Sequence, residues 1–356
     1  MSNLYINEGK KILESFVETG ELCGAAFGFV TRDEYECDFA GYKSLLPERE
    51  ENSVDTIYDL ASLSKVVSTT ILALKLIEDG CVSLRTKVSS ILPDFPYKDI
   101  TVYNLMTHTS GLPADDKDYK SCKNREELYS FINKLKLNHD PGTYVEYSCF
   151  GYILLGRIIE HFKGDLDKYA DEVLFKPLGM YNTMYNPKEK GKEAECAPTE
   201  VTAQRGCIKG EVHDGKAHIM GGVSGNAGVF STVKDLCRFT AMILNDGEFK
   251  GYRVLKRSTI DLLGRSYTEG LNSNRTLGWL FADKAVNAGD YTSDVSLFHT
   301  GFTGTAIYID FIRECAIIIL DNAIHPTRDN PKKEEIRNLF FNQVLLRYDE
   351  IQSRKR

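Results

Sequence analysis

YDLASLSKVVSTTILALKLIEDG, residues 58–80, is the stretch around which the rest of this chain is organised. From Ser62 onward Val66, Val67, Ile71, Leu74, Leu76 and Ile77 form a helical stripe. It stops at Asp79-Gly80, with glycine where a helix C-terminal cap wants it. The spacing therefore predicts a long helix beginning at Ser62. Ser62 and Lys65, three apart in its first turn, share a face, so the ammonium can reach the hydroxyl while the helix N-terminus favours developing negative charge. A lysine in an apolar first turn is expected to have a lowered pKa and to accept a proton, which a serine nucleophile requires. Spacing alone leaves open whether Ser62 is a nucleophile or an ordinary residue of a helix start. The same Ser-x-x-Lys pattern recurs at Ser231-Thr232-Val233-Lys234, where Thr232 and Asp235 read as a capping box that opens another helix.

Working outward, an amphipathic segment (Ile6, Ile12, Leu13, Phe16, Val17) precedes two β-prone runs, Gly24 to Val30 and Glu36 to Tyr42. Thr31-Arg32-Asp33 between them predicts a hairpin, and Thr56 to Leu60 a short edge strand. Beyond Gly80, short helices alternate with Pro/Gly-rich loops: Val102 to Met106, Arg125 to Leu137, Gly151 to Phe162, Leu166 to Leu174 and Thr232 to Asn245. Strand chemistry returns at Leu277 to Phe281, Ala306 to Phe311 and Cys315 to Leu320, followed by a helix from Pro331 to Leu346. Strands at both ends with helices between imply one sheet built from distant segments. The expected architecture is an α/β domain of residues 1–80 and 246–356, with a mostly helical domain, 81–245, inserted and the active site between them.

The 356 residues are long enough to bury roughly three quarters of the unfolded surface, so no metal or disulfide is needed for stability. Lys and Arg total 44 against 51 Asp and Glu, a net charge of −7 that argues against nucleic acid as a partner. The nine cysteines are odd in number and contain no Cys-x-x-Cys pair, so neither a zinc ribbon nor a disulfide framework is written here. The first thirty residues lack the plan of a signal peptide. The late apolar run Ala316 to Leu320 falls far below the roughly 18 to 20 residues that span a bilayer. A cytoplasmic protein with reduced thiols and no membrane partner is expected, and the basic end Arg354 to Arg356 reads as a frayed tail.

Gly210 to Lys216 fits the phosphate-loop spacing, but Ala217 stands where a magnesium-binding hydroxyl belongs. The glycine-rich run 221–228 lacks dinucleotide spacing and reads as a tight loop pressed against something. His213, Asp214 and His218 have poor metal-ligand spacing and read as loop residues bonded to backbone. No metal and no cofactor is expected.

Tyr58 to Lys65, Leu105-Met106-Thr107-His108-Thr109-Ser110-Gly111-Leu112-Pro113, Tyr147 to Gly156 and His299-Thr300-Gly301, in that order, resemble the serine β-lactamase and penicillin-binding-protein superfamily, most closely its class C-like branch. The likeness runs from about residue 20 to 325 and includes Leu174 to Met180 and Gly225 to Thr232. It implies a β-lactamase/transpeptidase-like fold, with Ser62 the acylated nucleophile, Lys65 its partner and Tyr147 the head of a second motif. A phenol normally titrating near about 10 can act as base if a cation holds the phenolate. The third motif, Lys-Thr-Gly in most lactam-active relatives, is His299-Thr300-Gly301 here. The resemblance also implies an oxyanion hole from the backbone amides of Ser62 and Phe302. Cys149 replaces the asparagine of the second motif and offers little to a substrate acylamide. A partly charged His299 would grip a substrate carboxylate less firmly than lysine. The resemblance therefore implies a serine hydrolase that forms an acyl-enzyme with a small ester, a D-amino-acid amide or peptide, or a cell-wall fragment. The alternatives are a penicillin-binding sensor that is acylated but hardly turns over, and a weak β-lactamase.

Overall fold

The computed structural model describes residues 4–281 and 288–355. Seven strands make the main sheet: β1 (Gly24–Thr31), β2 (Tyr35–Ser44), β3 (Glu50–Glu51), β4 (Leu280–Phe281), β5 (Ser296–Thr300), β6 (Ala306–Asp310) and β7 (Cys315–Asp321). Their order is β4-β5-β6-β7-β1-β2-β3, antiparallel throughout. The two chain ends thus meet where β1 pairs with β7, Ala26 opposite Leu320.

Five helices frame this sheet and the site: α1 (Asn7–Glu18), α2 (Thr70–Glu78), α3 (Cys149–Lys163), α4 (Val233–Leu244) and α5 (Lys333–Lys355). Both faces are covered, so the central strands are apolar on both sides and still keep a period of two. Phe27, Phe29, Tyr308, Ile317 and Ile319 pack with Phe340, Phe341 and Val344 of α5 and Leu13 of α1. The alternate residues Ala26, Val30, Ile307, Ile309, Ile318 and Leu320 join the larger core that continues through α2, α3 and α4.

The stretch at 58–80 is helical but not one regular helix. Ala61–Leu63 is a 3₁₀ turn, Lys65–Thr69 a π turn, and only Thr70–Glu78 is α-helical, ending with Gly80 at φ 74°. Side-chain ties to a neighbouring loop accompany the irregularity: Ser64 Oγ accepts from Val229 N at 3.0 Å, and Thr69 Oγ1 donates to Gly225 O at 2.7 Å. Tyr58–Asp59 pairs with Val229–Ser231, which pairs in turn with Met184–Tyr185. The entry to Ser62 is thereby stitched to residues far along the chain.

Several expected element bounds are corrected, and the helix Val233–Leu244 lies on the sheet, with Cys237 Sγ 3.4 Å from Cys37 Sγ of β2. Its apolar stripe finds the face of β1, and one apolar core runs through both segments. Strand β5 was not anticipated, because Ser296, His299 and Thr300 hide its apolar alternation. Of Leu277 to Phe281 only two residues pair, and Arg125–Ile132 stops short of Leu137. The last helix continues to Lys355, so Arg354 is helical rather than frayed and bonds Glu350; Arg356 lies outside the described residues.

Candidate active site

Ser62 sits half-buried in the 3₁₀ turn, immediately after Ala61, whose φ of 45° is left-handed. A non-glycine residue there carries strain on the order of 1–3 kcal/mol, which the surroundings must impose. Asp59 supplies part of that constraint: its Oδ1 accepts from Ala61 N at 2.8 Å and its Oδ2 from His213 N at 2.7 Å. Lys65 is fully buried, and its Nζ donates to Ser62 Oγ at 3.1 Å and to Asn226 O at 2.8 Å. The carbonyl at 226 is delivered by the glycine-rich loop, which presses on α3. A Cβ on Gly225 would stand 2.1 Å from Tyr152 O, so only glycine fits.

Burial works to lower the Lys65 pKa, but Cys149 and Tyr147, groups that become anionic on ionisation, and Asp214 outweigh it, and the net shift is upward. This corrects the sequence expectation: the apolar first turn is only part of the environment, and Lys65 remains an ammonium.

Tyr147 precedes α3. The Lys65 Nζ lies 5.0 Å from its ring centroid and the Arg275 guanidinium 5.4 Å. Behind it His108 packs at 4.5 Å from the Tyr147 ring and stacks at 5.0 Å on Tyr152. His108 is held in place by the Ser148 amide, which donates to its Nδ1 at 3.1 Å. Among the described residues the buried Tyr147 hydroxyl and His299 Nε2 have no hydrogen-bond partner. Burial, then the charges of Lys65 and Arg275, push the His299 pKa well below the usual imidazole range. Its Nδ1 donates to Thr300 O at 2.9 Å, which leaves Nε2 as a lone-pair acceptor. His299 is therefore neutral, where the sequence reading had it partly charged.

After β5 the chain turns at Gly301, whose amide donates to Thr305 O at 2.7 Å. Thr303 Oγ1 donates to Asp59 O at 2.8 Å and Thr305 Oγ1 to Leu60 O at 3.3 Å. These bonds dock the turn carrying Phe302 against the segment that leads to Ser62. A Cβ on Gly301 would lie 2.5 Å from Leu60 O, so this approach requires glycine.

Ser62 and Phe302 line two cavities, one on each side. The first, about 370 Å³, also contains Tyr147, His299, Thr300 and Gly301, together with Arg275, Lys333 and Arg337. The second, about 390 Å³, contains Asp115, Tyr119, Asp214 and Lys216. The exposed Phe302 ring divides them, stacked on His213 at 5.5 Å and faced by Arg328 at 5.4 Å and Lys333 at 5.3 Å. Seven of the sequence-predicted residues, Ser62, Lys65, Tyr147, His299, Thr300, Gly301 and Phe302, are thus gathered in one place. Cys149 is half-buried at the start of α3 and is not among the residues lining either cavity.

Sequence reasoning gave no role to Asn226, His108, Arg275, Lys216, Lys333 or Arg337. The first two lie in segments that carry the resemblance; a lone arginine or lysine among 44 carries no signal of its own. The second Ser-x-x-Lys is a helix start as expected, Thr232 Oγ1 accepting from Asp235 N. Asp214 caps the short helix Gly215–Ile219, and His213 Nε2 lies 2.9 Å from Glu200 Oε2.

The antiparallel sheet with helices on both faces is the fold of a penicillin-binding protein homologue from Pyrococcus abyssi, which superposes with a TM-score of 0.76 at 21% identity over 96% of this chain and 77% of that one. Residues 10–340 match the Beta-lactamase family, and the chain belongs to it. It is 32% identical over 324 residues to N-acetylmuramyl-L-alanine amidase of Bacillus subtilis, covering 80% of this chain and 71% of that protein. It is likewise 32% identical over 328 residues to a putative D-alanyl-D-alanine carboxypeptidase of Salmonella agona, covering 82% and 75%. Among solved structures, simvastatin synthase (LovD) of Aspergillus terreus superposes with a TM-score of 0.78 at 20% identity, over 98% of this chain and 99% of that one. The protein is a serine hydrolase of the β-lactamase superfamily. Among the described residues no helix is long and apolar enough to cross a membrane.

Proposed function

We propose that this hydrolase works through an acyl-enzyme on Ser62. The observation that carries the reading is the contact of Ser62 Oγ with a buried ammonium at 3.1 Å, at the junction of the two cavities. Ser62 Oγ attacks the substrate carbonyl and its proton passes to Tyr147, whose ring centroid lies 5.0 Å from the Lys65 ammonium and 5.4 Å from the Arg275 guanidinium. The amides of Ser62 and Phe302 receive the oxyanion. Tyr147 then returns the proton to the leaving group, and water, activated by the same phenolate, releases the acyl group.

Tyr147 lines the first cavity and not the second, so the leaving group faces the first and the acyl group the second. Arg275, Lys333 and Arg337 outnumber the one carboxylate of the lining, Glu334, and make the first cavity suited to a leaving group that bears a carboxylate. With His299 neutral, these cations rather than the third motif provide the positive charge. The names of the relatives, an amidase and a carboxypeptidase, support amide or peptide substrates, cell-wall fragments among them, alongside small esters. We place the protein in the cytoplasm, a reading supported by the free thiols of all nine cysteines.

A panel of p-nitrophenyl esters, D-amino-acid amides and a chromogenic cephalosporin tests the reading. Many equivalents turned over define an enzyme, and a burst that stops at one equivalent defines a penicillin-binding sensor. Mass spectrometry after a fluorophosphonate should find one adduct, on the peptide containing Ser62. Ser62→Ala should abolish both turnover and labelling, whereas Ser231→Ala should not. An adduct on Cys149 would replace serine chemistry with thiol chemistry.

A further inference from the structure

Lys216 stands on the opposite side of Ser62 from Tyr147, in the wall of the second cavity. Its side chain is 7% exposed, while that of its ion-pair partner Asp115, 2.6 Å away, is 55% exposed. From below, the ammonium rests over the rings of Tyr119 at 4.3 Å and Phe150 at 5.3 Å. A fixed cation is thus covered by a carboxylate that is free to turn out into solvent.

Most of the other charges of this wall have commitments elsewhere. Arg328 Nε donates to Glu200 Oε1 at 2.7 Å, and Arg205 Nη2 to Val212 O at 2.8 Å. Asp214 Oδ1 accepts from Ala217 N and from Asn226 Nδ2. Lys120 adds a further ammonium, so four cationic side chains face three anionic ones. If Asp115 swings away, Lys216 keeps the field of nearby Asp214 but loses its ion pair and direct anionic contact, a place that an entering anion can take. Cys149 lies close enough to influence the ionisation of both Lys65 and Lys216, so Lys216 occupies the neighbourhood of the second motif, where the thiol offers substrate almost no hydrogen bond.

Resting on the Ser62 reading, we propose that Lys216 is a specificity-determining residue that binds a carboxylate carried by the acyl group of the substrate. The ammonium would exchange Asp115 for the substrate carboxylate as the acyl chain enters the second cavity. Three p-nitrophenyl esters of similar length separate the cases: hexanoate, hydrogen adipate and 6-aminohexanoate.

Wild type should prefer hydrogen adipate over hexanoate, with 6-aminohexanoate cleaved least. Lys216→Met should lower the adipate-to-hexanoate ratio of kcat/KM by about tenfold or more, the scale of one charge-assisted hydrogen bond. Asp115→Asn, at a largely exposed side chain, should raise the same ratio several-fold, and it decides the matter if Lys216→Met does not fold. A ratio unchanged in these variants overturns the proposal. So does a wild-type preference for 6-aminohexanoate, which would make Asp115 the substrate-facing group. Loss of all three activities in wild type would instead fail the Ser62 reading itself, and this inference with it.

Discussion

Replacing Lys65 with methionine separates catalysis from stability, because methionine, one heavy atom shorter, fills most of the buried volume while removing the charge and its donors. Two bonds are lost, to Ser62 Oγ at 3.1 Å and to Asn226 O at 2.8 Å. On the proposed mechanism the first holds Ser62 Oγ beside the proton path to Tyr147, and a positioned acid–base system contributes about 10²–10⁴-fold in rate. At about 1.36 kcal/mol per decade this is ~2.7–5.4 kcal/mol of barrier. The second loss leaves the Asn226 carbonyl unsatisfied, at about 1–3 kcal/mol. Against that, a fully buried ammonium no longer has to be desolvated, and apolar replacement of buried charge is often neutral or stabilising. The net effect on stability should stay within ~2 kcal/mol, or some 4–8 °C in Tm at about 2–4 °C per kcal/mol for a large domain. The expected result is a folded protein whose kcat/KM on a p-nitrophenyl ester falls at least a hundredfold. A folded variant within tenfold of wild type would refute the reasoning and make Lys65 a satisfied buried cation and nothing more.

The depressed His299 has a pH signature: its folded form stays neutral, while the unfolded chain takes up a proton below about pH 6.5. Its contribution is complete above that value and is lost as pH falls, at about 1.4 kcal/mol per unit. The stability profile of His299→Gln, measured by urea unfolding between pH 6.5 and 5, should therefore be flatter than wild type by one proton; parallel profiles would count against a buried neutral imidazole. Gly225→Ala puts a Cβ 2.1 Å from Tyr152 O and should cost about 3 kcal/mol or more, beyond ordinary overpacking. It should lower Tm, together with activity in the molecules that still fold, and an unperturbed melting curve would show that the 221–228 loop does not set the approach to α3. Cys149→Asn adds donors and an acceptor beside Lys65 and should raise cleavage of acylamino substrates over simple esters by a few-fold to about tenfold, at about 0.5–1.5 kcal/mol per bond. Equal changes for both substrate types in a folded variant would show that position 149 does not reach the substrate.

Local order was legible in the sequence wherever one periodicity dominated. The β1–β2 hairpin, the Cys315–Asp321 strand and the α3 helix follow from apolar spacing and turn residues, since these elements bury continuous apolar surface. The adjacency of Ser62 and Lys65 was legible too, because three residues along any helical turn return to the same face. Strand β5 was not, because its functional residues interrupt the apolar alternation. Tyr147, His299 and Phe302 could be joined to Ser62 only through the family resemblance.

What the tertiary structure alone decided is the environment of each group. Lys65 was expected to lose proton affinity in an apolar turn, yet residues 147, 149 and 214, brought in from distant segments, reverse the sign. His299 loses its charge through burial that no local pattern announces. The cations of the first cavity and the Lys216–Asp115 pair of the second come from positions that look like ordinary surface charge in one dimension. Periodicity records which way a side chain points along its own element. Desolvation and Coulomb interaction depend on what the rest of the chain places within a few ångströms, and that is fixed only when the sheet closes around β1 and β7 and the loop at 221–228 reaches Lys65.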